Sequence, residues 1–289
     1  MNILITGGSG FIGSEISKFL LKRKYKVVIL DLRKPDFKHI NLKFVKGSIT
    51  NRKLIKKIIK NKDIVYHLAG IADIAECSVA PVRTIEQNIL PTINILNECS
   101  INNVKRFIFA STIYVHSEEG GFYKSSKKSC EIYIQEFSKN KNLKFTILRY
   151  GTIYGPSRNM KNNINKIVKT AISKKKVIYE GKINTKRRII HAKDAARAAV
   201  EVLKKEYSNK AVLIIGNKNY YIKEIMLKIK NKLNIKSKIL FYNKKIYGHY
   251  VSNPFFKKAI PSVQLKIKNQ IDIDRGIEEV ISFIKKKTL

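Results

Sequence analysis

The chain has 289 residues, 44% of them hydrophobic, enough to bury a full core without disulfide or metal staples. Its 59 lysines and arginines against 21 aspartates and glutamates give a formal charge of +38. That charge is spread along the whole chain and carried by lysine far more than arginine, so it reads as solvated faces and speaks against a nucleic-acid partner. No apolar run reaches the ~18 residues a membrane span needs. The start, MNILITGGSG, has no basic stretch ahead of an apolar core, so no signal peptide is expected. Three cysteines, Cys77, Cys99 and Cys130, form no Cys-x-x-Cys pair. The expectation is a cytoplasmic protein with no disulfide framework, no metal site and no membrane contact.

In chain order, Ile3-Leu4-Ile5 reads as a buried strand leading into a Gly-rich turn, and Phe11 to Lys22 as a helix. Val27 to Leu30 is a second strand ending at Asp31, Phe44-Val45 a third, and Leu54 to Ile59 a helix. Ile64 to Leu68 is a fourth strand. Residues 82–102 read as one long helix that Pro91 should kink. Phe107 to Ala110 is a fifth strand, 123–138 a helix and Phe145 to Leu148 a sixth strand. Beyond Gly155-Pro156 helices are expected at 162–174, 192–205, 222–233 and 274–286, with a strand around Val212 to Ile215. Short apolar strands alternating with helices predict an α/β fold of the Rossmann type, a doubly wound parallel sheet. Residues 1–155 form its dinucleotide-binding part; residues 156–289 form a smaller C-terminal cap, with some segments returning to the sheet.

The turn after the first strand reads TGGSGFIG, with Gly7, Gly10 and Gly13 three apart. Glycines there let backbone approach a pyrophosphate, and the helix opening at Phe11 and Ile12 offers N–H groups and a positive dipole end. Its place after a strand and before a helix is the context that makes this motif a dinucleotide site. Asp31 ends the second strand, where a carboxylate accepts hydrogen bonds from ribose hydroxyls and repels a 2′-phosphate, which favours NAD over NADP. Arg33 and Lys34 stand nearby and soften that repulsion.

Tyr123 and Lys127 are spaced i, i+4 on one helix face. A phenol titrates near 10 and becomes a base near neutrality only if cations lower its pKa, which a lysine one turn away can do. The fifth strand runs into Ala110-Ser111-Thr112, whose hydroxyls could orient a substrate oxygen.

These pieces occur in order with HLAG at 67–70, YKSSK at 123–127, LRYGTIYGP at 148–156 and RRIIHAKDAA at 187–196. Together they resemble the extended short-chain dehydrogenase/reductase family, the NAD-dependent nucleotide-sugar epimerases and dehydratases, over essentially the whole chain. The resemblance implies Thr112, Tyr123 and Lys127 as the catalytic triad. It implies NAD held by the glycine loop, Asp31, Leu68, Ala69, Gly70, Tyr123 and Lys127. It implies a nucleotide sugar touched by Asn88, Thr112, Thr152 and, at the diphosphate, Arg187. A homodimer pairing the helices at 82–102 and 123–138 is implied too, with Ile89, Ile93, Leu96, Ile132, Ile134 and Phe137 available to it. His67 and His191 read as structural.

Departures narrow the activity. The family's 4,6-dehydratases carry Asp-Glu after the catalytic Thr, where Ile113 and Tyr114 stand here, and Tyr114 has no evident activating cation. The related decarboxylases carry a Glu that is also missing, and fucose-synthase-like reductases carry a Cys that is missing too. Ser48 replaces an adenine-side Asp, Pro91 a Gly, and Thr152 the Asn of galactose epimerases. No Arg-Pro-Gly segment is evident near 244–254. The expected function is a nucleotide-sugar epimerase acting at C4. The alternatives are an NAD(P)H-dependent reductase of a nucleotide-linked 4-keto sugar and, more remotely, a dinucleotide-binding regulatory or nucleic-acid-binding protein.

Overall fold

The apolar runs of the first half stack into a parallel sheet because most of their residues are covered on both faces. In this computed structural model, residues 1–157, 163–242, 248–249 and 262–288 are described. The first half runs β1 (Asn2–Thr6), α1 (Phe11–Lys22), β2 (Lys26–Asp31), β3 (Leu42–Lys46), α2 (Arg52–Ile59), β4 (Ile64–His67), α3 (Ile74–Val79), α4 (Pro81–Thr84), α5 (Leu90–Ile101), β5 (Arg106–Thr112), α6 (Gly121–Lys141) and β6 (Phe145–Tyr150). The second half adds β7 (Thr152–Tyr154), α7 (Asn163–Lys174), β8 (Ile178–Tyr179), β9 (Lys186–Arg187), β10 (Ile189–His191), α8 (Ala192–Glu201), β11 (Lys210–Ile214), β12 (Tyr220–Tyr221), α9 (Ile222–Lys232), β13 (Leu240–Phe241), β14 (Ser262–Gln264) and α10 (Ile273–Thr288).

Eight strands form the main sheet in the order β14-β11-β6-β5-β4-β1-β2-β3, every neighbouring pair parallel. The winding reverses between β1 and β4, so the crevice beyond their carboxyl ends is where such a sheet takes a ligand. One face is sealed by Ile16 and Leu20 of α1 with Ala195 and Ala199 of α8, packed on Ile3 and Ile5. The other is sealed by Ile95, Leu96 and Ile134 on Leu4, Val65 and Phe107. Each buried Leu, Ile or Val side chain among these contributes about 1.5–3 kcal/mol. A further core joins α7, α9 and α10 through Val168, Ile225, Met226 and Ile277. Thus β11, β14 and α8 come from the second half but belong to the main sheet and its cover.

The predicted helix at 82–102 is not continuous. It divides into α4, a π-helical turn over Ile85–Ile89, and α5, with Pro91 in the first turn of α5. Proline has no N–H to donate, so restarting the helix beside it puts the missing donor where none is needed. The segments α3 and β14 are too short to show a period and were not anticipated. The three cysteines are free and buried. Among the described residues no helix is long and apolar enough to cross a membrane.

Candidate active site

The glycine loop is shaped by contact. Gly7 has φ +73°, and a Cβ on it would stand 2.8 Å from the Ala69 backbone nitrogen. A Cβ on Gly13 would overlap the Gly7 carbonyl oxygen. Gly10 precedes α1 with no side-chain cap, and the first turn carries no acidic residue. The N–H groups at Phe11, Ile12 and Gly13 therefore open on a positive helix end suited to a pyrophosphate. Asp31 reaches the same loop: its Oδ2 accepts from the Ser9 N–H at 3.0 Å and its Oδ1 from the Arg33 N–H at 3.1 Å. Beyond β4, the Leu68 N–H donates to the Thr6 carbonyl at 3.1 Å, and Gly70 turns the chain at φ +142°. The structure thus gathers Gly7, Gly10, Phe11, Ile12, Gly13, Asp31, Leu68, Ala69 and Gly70 around the carboxyl ends of β1, β2 and β4. The cradle and the ribose-side carboxylate fit NAD.

His67 is structural, as expected. Thr92 donates its hydroxyl to the Asn88 carbonyl at 2.5 Å, so at 2.9 Å it accepts from His67 Nε2. His67 Nδ1 then accepts from the Thr6 hydroxyl at 2.7 Å. Burial lowers the His67 pKa to about 3 and keeps it neutral.

Thr112 is the last residue of β5, and its side chain lies close enough to the Tyr123 phenol to lower its pKa. Tyr123 lies in the first turn of α6, entered through Gly120 at φ +103° and Gly121 at φ +48°. Lys127 follows one turn later, buried, donating from Nζ to the Ala110 carbonyl at 2.9 Å and lying 4.7 Å over the Phe109 ring. The three predicted residues converge at the end of one strand. One expectation about them fails: in the protein alone Lys127 does not bring the phenol down. Burial pushes the Tyr123 pKa up to about 12, against a smaller lowering by Thr112, and burial also lowers the Lys127 ammonium. Desolvation outweighs the lowering by Thr112.

Asn88 is tied to the chain's own backbone and to α6. Its Oδ1 accepts from the Ile71 N–H at 2.7 Å, while Nδ2 donates to the Ile71 carbonyl at 3.0 Å and to Ser126 Oγ at 3.1 Å. Both amide N–H groups are spent clamping the loop after β4 to α6. Thr152 opens β7 in register with Ile189 of β10, on the small sheet beyond β6. Arg187 is buried in β9, donates to the Lys186 carbonyl at 2.9 Å, and lies near enough to His249 to lower its pKa. His191 caps α8, accepting from the Lys193 N–H at 3.3 Å, and its ring meets Tyr154 edge-on. The segment 244–254 lies outside the described residues except for 248–249.

Two features of the site were not anticipated. Glu131 and Arg149, each 1% exposed, form a buried ion pair, and Ser111 Oγ donates to Glu131 Oε1 at 2.5 Å. Glu131 stands one turn beyond Lys127 on the face of α6 that carries Tyr123, a signal present in the sequence. Tyr114 is hydrogen-bonded to His249, 135 residues away, for which no local signal exists.

A family model described as the NAD dependent epimerase/dehydratase family matches residues 3–216. A protein of Methanocaldococcus jannaschii provisionally named a UDP-glucose 4-epimerase is 28% identical over 307 aligned positions, 98% of each chain. The Thermotoga maritima UDP-glucose 4-epimerase, solved with UDP-glucose, shares the fold at a TM-score of 0.85 and 23% identity, covering 100% of both chains. The Bacillus cereus UDP-glucuronic acid 4-epimerase, solved with UDP-glucuronic acid and NAD, superposes with a TM-score of 0.81 at 25% identity, over 99% of this chain and 100% of that one.

Proposed function

The chain belongs to the NAD-dependent epimerase/dehydratase family, and from that premise we propose that it is a nucleotide-sugar epimerase acting at C4 of a UDP-linked sugar. The observation that carries this reading is the convergence of Thr112, Tyr123 and Lys127 at the end of β5 beside the glycine loop, with Ile113 and Tyr114 in place of a carboxylate pair. Without those carboxylates a dehydratase has no group to move the second proton.

NAD, when bound, supplies the acceptor for the C4 hydrogen and a positive charge beside the Tyr123 phenol. Tyr123, as the phenolate that the charge of bound NAD would favour, takes the proton from the sugar hydroxyl and returns it at the end of the turnover. Thr112, beside the phenol, orients the reacting oxygen. Lys127, anchored on Ala110, keeps its ammonium beside the ribose and the phenol. Arg187 faces the diphosphate, and residues 156–289 supply the rest of the sugar site. Holding reactants in register contributes up to about 7–11 kcal/mol to such a reaction.

The test offers the full chain a panel of UDP-sugars with NAD and follows the C4 epimer by chromatography. Tyr123→Phe should lower kcat at least a hundredfold with NAD binding intact; near-wild-type turnover in that variant overturns the triad assignment. Stoichiometric consumption of NADPH with a 4-keto sugar, and no epimer, identifies a reductase instead.

The protein pairs as a homodimer through α5 and α6 in this reading. Leu96 and Ile134, expected at the contact, are buried in the chain's own core, while Leu90, Ile132 and Tyr133 are exposed on these helices. Sedimentation should give twice the 33.3 kDa of one chain; a monomer at micromolar concentration removes the dimer.

A further inference from the structure

Tyr114 is the second residue beyond Thr112, on the turn of 3-10 helix over Ile113–His116 that leaves β5. Its backbone N–H donates to Thr112 Oγ1 at 3.3 Å, and its ring meets the Tyr123 ring edge-on, centroids 6.5 Å apart. On another side its Oη lies 2.9 Å from Nδ1 of His249, the rings T-shaped at 6.1 Å. The chain entering His249 is held close: Gly248 has φ +74°, and a Cβ there would stand 2.7 Å from Ile74 Cγ2 of α3. The pair therefore bridges the strand end that carries the triad and the C-terminal part of the chain. His249 is half-buried; its burial and the Arg187 charge hold it below the ordinary imidazole pKa, with Asp73, Glu119 and Lys166 acting more weakly around it. It is neutral at physiological pH.

We propose that Tyr114 and His249 are a sugar-positioning pair, in which the phenol oriented by the imidazole hydrogen-bonds a ring hydroxyl beside the carbon that reacts at Tyr123. The proposal rests on the epimerase reading and names a determinant of its substrate: a neutral, hydroxyl-bearing hexose ring. The chemistry of the pair is the reason. An epimerase binds two sugars whose hydroxyls at the reacting carbon point opposite ways, and the ring must be held in both settings. An ammonium can only donate and a carboxylate can only accept, so a fixed charge suits one setting. A phenol and a neutral imidazole each donate and accept. The pair can reverse the sense of its hydrogen bonds without leaving a buried group unsatisfied.

The experiment measures UDP-galactose, UDP-glucose and UDP binding to the full chain loaded with NAD, by calorimetry, alongside turnover. Tyr114→Phe and His249→Ala should each weaken both UDP-hexoses about tenfold and leave UDP within twofold, while His249→Gln, which can still donate and accept, recovers most of the loss. During turnover Tyr114→Phe should also leave a larger fraction of the cofactor reduced, seen as absorbance at 340 nm, because a loosely held oxidised sugar escapes. Unchanged hexose affinity in both variants, an equal loss for UDP, or a wild type that binds the hexoses no tighter than UDP overturns the pair. A wild type that binds the hexoses selectively but epimerises none of the panel overturns the proposed function and leaves the binding test standing.

Discussion

Replacing Glu131 by Gln removes one charge of a pair in which both side chains are 1% exposed. Arg149 donates from Nε to Glu131 Oε1 at 3.1 Å and from Nη2 to Oε2 at 2.5 Å, while its Nη1 reaches Ser262 Oγ at 2.6 Å and lies 3.2 Å from His116 Nε2. His116 cannot take over as counter-charge, since an imidazole is at most neutral or cationic; burial and the Arg149 charge lower its pKa, which keeps it from adding a second positive charge. Glu131→Gln therefore strands a guanidinium between β6 and α6, at about 3–5 kcal/mol. Over 289 residues, at about 2.1 cal/mol/K of unfolding entropy per residue, each kcal/mol moves Tm by about 1.6 °C, so the fall should be about 5–8 °C. Calorimetric melting measures it directly. The double variant Glu131→Leu with Arg149→Met should recover most of the loss, since an apolar pair of similar volume carries no desolvated charge. A single variant within 1 °C of wild type, or a double variant worse than the single, refutes the argument that the stranded charge is the cost.

Acid should destabilise the protein through its buried histidines. Burial lowers His67 to about 3 and His191 to about 4, so the unfolded chain takes up two protons near 6.5 that the folded one refuses. Their contribution is complete above 6.5 and is lost as pH falls toward 4; by pH 5.5 the loss should amount to about 3 kcal/mol. Urea titrations at pH 7.5 and 5.5 check this, and equal stabilities would contradict it. Asp31→Asn removes the carboxylate that repels a 2′-phosphate, so the NAD-to-NADP affinity ratio should fall about tenfold, a shift of about 1.4 kcal/mol. Fluorescence titration with both cofactors reads that ratio, and no change would place the discrimination elsewhere.

Much of the site was legible because its chemistry is local. Gly7, Gly10 and Gly13 answer to the turn between β1 and α1, Asp31 to the end of β2, and Tyr123 with Lys127 to one helical period. The alternation of apolar runs was enough for a parallel sheet, since burial on both faces leaves no polar period. Tertiary structure alone decided the rest. It brought β11 and β14 back beside β6, set Asn88 as a clamp on Ile71, and raised the Tyr123 pKa to about 12 by burial. It also joined Tyr114 to His249 across 135 residues and Arg149 to Ser262 across 113. A spacing of three or four residues is set by backbone geometry and can be read along the chain. Pairing across a hundred residues and the loss of water around a phenol depend on how separate elements pack, and so exist only in the folded protein.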